Sequence, residues 1–131
     1  MTINRRIFRA YDIRGIYPSE INDEVALKIG RAFGKTRKGT VVVGRDGRIG
    51  SLKLYRAVIK GLKNGNSKLK IAAVGLATTP MFYVLVQKLG AAGGIMVTAS
   101  HNPKEYNGFK VVGRNARMIS GKEVLKIISK F

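Results

Sequence analysis

Short β-branched runs alternate along this chain with segments of helical period, and this alternation restricts its possible folds more than any other feature. "TVVVGRD" (40–46), "LKIAAVG" (69–75) and "GGIMVTA" (93–99) are brief apolar stretches separated by longer amphipathic ones. The first, β-branched and bounded by glycine, has the character of a strand buried on both faces of a parallel sheet. Strand and helix repeated in turn lead to an α/β fold, here a single three-layer α/β/α domain with a mostly parallel mixed sheet. The 131 residues suffice for one such domain and its core.

The punctuation of the elements supports this reading. "RIFRAYDI" (6–13) is expected as a first strand, closed by "RGIYPSE". Asn22 then caps a helix with Asp23 and Glu24 in its first turn and Val25, Ile29, Ala32 and Phe33 along one stripe. Ser51 is expected to cap a second helix, with Leu54, Tyr55, Val58, Ile59 and Leu62 inward and "NGN" (64–66) ending it. Thr79 and Pro80 read as cap and first position of a third helix, "MFYVLVQKL", closed by Gly90. That segment is apolar almost all round, which predicts a helix with little access to water. "GGIMVTA" and "NGFKVVG" supply two more strands. Ser120 and Glu123 form a capping-box pattern before a last helix with Val124, Ile127, Ile128 and Phe131 on its apolar side.

Composition enters through charge. Lys plus Arg number 25 against 7 Asp plus Glu, a formal charge of +18. A field of that sign draws polyanions: nucleic acid, phosphorylated metabolites or an acidic partner chain. Lys28, Arg31 and Lys35, and again Arg56, Lys60 and Lys63, fall three and four apart, which places each set on one helical face. This pattern resembles the outer faces of several helices more than one nucleic-acid groove. Trp is absent and no nucleic-acid motif appears. The chain has no cysteine, so disulfides, thiolate metal sites and cysteine nucleophiles are excluded. No apolar run reaches the roughly 20 residues of a membrane span, and the start lacks the apolar core of a signal peptide, so a cytoplasmic protein is expected.

In α/β folds ligands gather beyond the carboxyl ends of the strands. The segments expected there are "DIRG", "GRDGRIG", "LATTP" and "TASHNP". Two are rich in arginine, as a phosphate-handling site would be. "VTASHNPKEYNGFKVVG" (97–113) holds the one histidine, His101, between Ser100 and Asn102. Ser100 could be a nucleophile or a phosphoryl carrier, given an activating base or an electrophilic phosphorus. No Gly-x-Ser-x-Gly elbow surrounds it, which argues against a hydrolase triad. The other reading is a local turn into Pro103, with Ser100 and Asn102 bonding nearby backbone.

"TASHNPKEYNGFKVVG" resembles the active-site serine loop of the α-D-phosphohexomutases, the phosphomannomutase/phosphoglucomutase family. "FRAYDIRGIY", "VVVGRDGR" and "VGLATTP" resemble that family's first domain in the same order, so the resemblance covers nearly the whole chain. It implies that Ser100 carries the phosphoryl group and, once phosphorylated, offers an oxygen to an active-site Mg²⁺. His101 and Asn102 match neighbours that shape the loop and contact the phosphate. Lys110 matches a lysine that assists proton transfer at the sugar hydroxyl, and Arg14 an arginine over the reacting phosphate. Arg45 and Arg48 fall in a loop that supports the same pocket and its phosphate. The implied substrate is a hexose phosphate or bisphosphate, with phosphate moving between C6 and C1.

The chain also departs from the family. Members have four domains, and an aspartate-rich loop of the second holds the metal. The third and fourth bind the sugar and the non-reacting phosphate. None of these is in this sequence, whose three aspartates, Asp12, Asp23 and Asp46, are scattered. The resemblance therefore implies a phosphoserine-loop domain that needs the remaining mutase domains and is not a competent enzyme alone. "IGS" after Arg48 and the basic "NSKLKIAAVG" also differ from the usual pattern. A basic nucleic-acid-binding module, or an isolated or designed folding unit on the same fold, remains the alternative.

Overall fold

A computed structural model describes residues 3–131. Four α-helices and six strands follow in the order β1 (Ile13–Ile16), α1 (Asp23–Lys35), β2 (Thr40–Arg45), α2 (Ser51–Gly65), β3 (Lys70–Leu76), α3 (Thr79–Lys88), β4 (Gly93–Val97), β5 (Tyr106–Val112), β6 (Met118–Ile119) and α4 (Gly121–Lys130). One sheet runs β1-β5-β4-β2-β3, with β6 beside β1 on the outer edge of β5. β2 pairs in parallel with β3 and β4, while β5 runs antiparallel to β1, β4 and β6. Five strands thus share a direction and β5 alone opposes them, a mixed sheet of the expected kind.

Side-chain alternation divides the core in two. Val41, Val43, Ile95, Val97, Phe109 and Val111 face α1, α2 and α4, where Ile29, Phe33, Leu54, Leu62 and Val124 meet them. Val42, Met96 and Val112 point the other way, toward Phe82 and Val86 of α3. The second layer is thin: it rests on two fully buried side chains of one helix, each contributing roughly 1.5–3 kcal/mol by burial. α1 and α2 approach very closely, because Gly61 and Gly65 lie against the α1 backbone at Leu27 and Arg31, where a Cβ would collide.

Several local expectations need correction. The segment 6–13 is not a strand: Arg5–Ile7 form a 3₁₀ turn capped by Asn4, and the Arg9 amide donates to the Asp12 carbonyl. The chain therefore doubles back and pairs only from Ile13, against β5. Arg14 accordingly sits on β1 itself, not in a loop after it. Ser51 is the first residue of α2 and not its cap; the cap is Gly50, and the Ser51 hydroxyl donates to Asp46 Oδ1 instead. Thr78, not Thr79, caps α3 by accepting the Met81 amide, with Pro80 within the first turn. α3 is also wetter than its sequence suggests, with Met81 54% and Val84 47% exposed, because the sheet lies on one side only. Asn22 and Ser120 cap as expected, accepting from the amides of Val25 and Glu123. Gly90 follows α3 at φ +56, a left-handed C-terminal position suited to glycine. The short β6 carried no signal of its own.

Candidate functional site

α3 covers β2 and β4 but leaves β1 and the start of β5 open on the same side of the sheet. Ile13 and Phe109 point into the first core, so the residues next to them, Arg14 and Lys110, emerge on this open face. The turn 97–106 brings Ser100 to its edge. A cleft of about 430 Å³ results, lined by Arg9, Tyr11, Asp12, Arg14, Ser100 and Lys110. Three cations face one carboxylate here. Arg14 Nε lies 3.7 Å from Asp12 Oδ1, so Asp12 holds the guanidinium over the cleft while the other cations stay uncompensated. Such a site has a clear preference for anions.

Ser100 is exposed and left-handed at φ 55, a conformation that costs a serine of the order of 1–3 kcal/mol and persists only where the surroundings impose it. Its amide donates to Thr98 Oγ1 (3.0 Å), and the Asn102 amide group donates to the Ala99 carbonyl (2.7 Å). Beneath the turn lies Arg48. Its guanidinium donates to the carbonyls of Ser100 (2.6 Å), Asn102 (2.6 Å), Pro103 (2.8 Å) and Tyr106 (3.1 Å). One planar group thus fixes four carbonyls of one loop, a task suited to arginine's fork of donors.

Arg48 is itself anchored from below. Asp46 accepts its amide and the Ser51 hydroxyl on Oδ1 and lies 3.5 Å from Arg48 Nε through Oδ2. Buried Asn107 donates to Ser51 Oγ (3.0 Å) and the Ile49 carbonyl (3.1 Å), which ties the β2–α2 loop to β5. Arg45 donates from Nη1 to the Asp46 carbonyl (3.2 Å), but its buried Nε has no acceptor.

Of the residues singled out in the sequence, Ser100, Lys110 and Arg14 therefore line one cleft. His101 is exposed on the turn, and Asn102 spends its side chain on the turn itself. Arg45 and Arg48 stand behind the loop, Arg48 with its donors turned toward backbone carbonyls. Arg9, Tyr11 and Asp12 line the cleft without having been singled out, although they belong to "FRAYDIRG"; the doubling back of 9–12 could not be inferred from a segment read as a strand. Ser51 and Asn107 were also missed, since their partners lie 56 residues apart in sequence.

Mg²⁺ does not fit these residues alone. Among the described residues no group of three or more His, Asp or Glu is placed to hold a metal ion. The carboxylate in the cleft, Asp12, is already ion-paired with Arg14.

The architecture and cleft define a class first: a three-layer α/β/α domain presenting a clamped serine turn beside uncompensated cations. Residues 5–131 match the phosphoglucomutase/phosphomannomutase alpha/beta/alpha domain I, and the chain belongs to that family. It is 44% identical over 124 residues to a phosphomannomutase of Escherichia coli, covering 94% of this chain and 27% of that protein. A Klebsiella pneumoniae phosphomannomutase is also 44% identical over 124 residues, and there the match covers 94% of this chain and 78% of the relative. A crystal structure of a phosphoglucomutase/phosphomannomutase family protein from Burkholderia thailandensis superimposes with a TM-score of 0.83 at 35% identity, over 98% of this chain and 30% of that one. The chain thus spans 27% of the E. coli relative and 30% of the Burkholderia structure.

Proposed function

We propose that this chain is the phosphoserine-bearing domain of a phosphomannomutase/phosphoglucomutase, with Ser100 carrying the phosphoryl group that moves between C6 and C1 of a hexose phosphate. The observation that carries the proposal is the convergence of Arg14, from the start of the chain, with Ser100 and Lys110 on one cationic cleft. A sugar hydroxyl attacks phosphorus and the Ser100 Oγ–P bond breaks. The hydroxyl proton passes to Lys110 and ends on the serine oxygen; the return step reverses the sequence at the other carbon. Arg14 stabilises the charge that develops on the equatorial oxygens. His101, exposed on the turn, reaches the bound phosphate, and Asn102 keeps the turn in shape. Arg45, with its Nε unmatched, supports the phosphate from the end of β2 in this reading, and Arg48 acts by holding the loop.

A Mg²⁺ ion, if bound, would neutralise charge at the transferred phosphate; this chain would contribute only a phosphate on Ser100, and the remaining ligands would have to come from the other mutase domains. The metal, the sugar and the second phosphate call for the remaining mutase domains, so the chain alone is expected to give no turnover. A cytoplasmic location is part of this reading, since a hexose phosphate is its substrate; no helix among the described residues is long and apolar enough to cross a membrane.

The test is a chimera in which this chain replaces the matching segment of the E. coli phosphomannomutase. A folded, active chimera should lose at least about 1,000-fold in kcat on Ser100→Ala, which removes the carrier, and about 100-fold or more on Lys110→Ala. A folded chimera without activity, or one indifferent to Ser100→Ala, would overturn the assignment. Turnover by the isolated chain would overturn the claim that it needs its partners.

A further inference from the structure

The cations of α4 frame a second cleft. It lies between the N-terminal 3₁₀ turn and α4, encloses about 600 Å³, and has Phe8 and Leu125 as its floor and Arg5, Lys122, Lys126 and Lys130 on its rim. The three lysines are four residues apart, so they stand in one row along the helix at intervals of ~6 Å. The ion pairs Arg14–Asp12 and Arg48–Asp46 include no residue of this rim. Glu123 is the one carboxylate on α4 and sits in its first turn.

A solvated lysine face needs no apolar floor, and this cleft has one, joined to the main core through Phe8 and Leu125. The floor also decides between partners. Phe8 is 5% exposed, too buried to stack on a base, and Phe131 lies toward α1 with the Lys35 ammonium 5.0 Å from its ring centre. A nucleic acid would use the charges and leave the floor empty. An amphipathic helix with acidic residues at four-residue spacing and leucines on the adjoining stripe would use both.

We infer that the groove beside α4 is a docking site for an acidic amphipathic helix of a protein partner. This inference is independent of the phosphoryl-transfer reading, since it shares no residue with the Ser100 cleft.

The probes are two fluorescein-labelled synthetic peptides of identical composition and charge, titrated against the full chain by anisotropy at 0.15 M salt. One carries glutamates four apart beside a leucine stripe; the other has the same residues permuted so that no stripe forms. A single-stranded oligothymidine is the third probe. The striped peptide should bind at least tenfold more tightly than the permuted one. The exposed double reversal Lys122→Glu/Lys126→Glu should abolish that preference, whereas Lys60→Glu/Lys63→Glu on α2 should retain it. Equal binding of both peptides, tighter binding of the oligonucleotide, or a preference insensitive to the α4 reversal would overturn the inference.

Discussion

Arg48 concentrates more of the site's geometry than any residue in contact with the cleft. Four loop carbonyls converge on its guanidinium, and its side chain is only 16% exposed. Hydrogen bonds to a charged donor contribute roughly 1.5–3 kcal/mol each in favourable cases, but the four share one group and are not additive. Arg48→Ala is therefore expected to destabilise the fold by about 2–4 kcal/mol in urea and to shift the amide resonances of Ala99 to Asn102 far more than those of α1. Arg48→Lys, a compact charge without the fork, should recover stability only in part. Unperturbed loop resonances in Arg48→Ala would show that the loop holds itself. "GRDGR" marked Arg48 in the sequence, yet not its work: a guanidinium that reaches four carbonyls of a loop more than 50 residues away is a property of the fold. The Asp46–Ser51–Asn107 chain was illegible for the same reason, because Ser51 reads equally well as a helix cap.

Among the elements, α1 and α2 form the tightest interface, and glycine makes it possible. In an exposed helix Gly→Ala gains about 1 kcal/mol in helix propensity. At Gly61 the added methyl would collide with the Leu27 carbonyl and lie 2.9 Å from the Arg31 amide, so the helices must separate. Overpacking of this kind costs roughly 1–3 kcal/mol, more than the propensity gain. Gly61→Ala should therefore lower stability despite its better helix former, which a urea titration will read directly; a more stable variant would mean that the interface is slack. Elements with strong local chemistry were readable from sequence: the Asn22 cap, the glycine-bounded β2, the Ser120 cap. Those whose form depends on distant partners were not. The start of the chain becomes a strand only where β5 meets it, two-residue β6 exists only as a partner of β5, and α3 is exposed because no second α-helix among the described residues packs on its face.

At the scale of the whole molecule the charge is the dominant unbalanced quantity. A formal +18 arises from 25 Lys and Arg set against 7 Asp and Glu, so most cations have no carboxylate to pair with. Arg37 shows the consequence locally: burial, and then the charges of Arg114 and Arg117, lower its pKa below the usual arginine value. A cation with a depressed folded pKa destabilises the fold wherever it is charged, and the cost is relieved only as pH rises through that lowered value. Around neutral pH Arg37 stays protonated, so pH is a poor lever on this strain and salt is the better one. The screening length shrinks from about 30 Å at 0.01 M to about 8 Å at 0.15 M, which removes repulsion between helices while leaving the Arg48 contacts nearly intact. Raising sodium chloride from about 0.01 to 0.3 M should increase unfolding free energy in urea by roughly 1–2 kcal/mol, and Arg114→Glu should reduce that gain by relieving part of the repulsion in advance. A flat salt profile would mean that the cations are spread widely enough for water to screen them, and that the charge acts on partners without straining the fold.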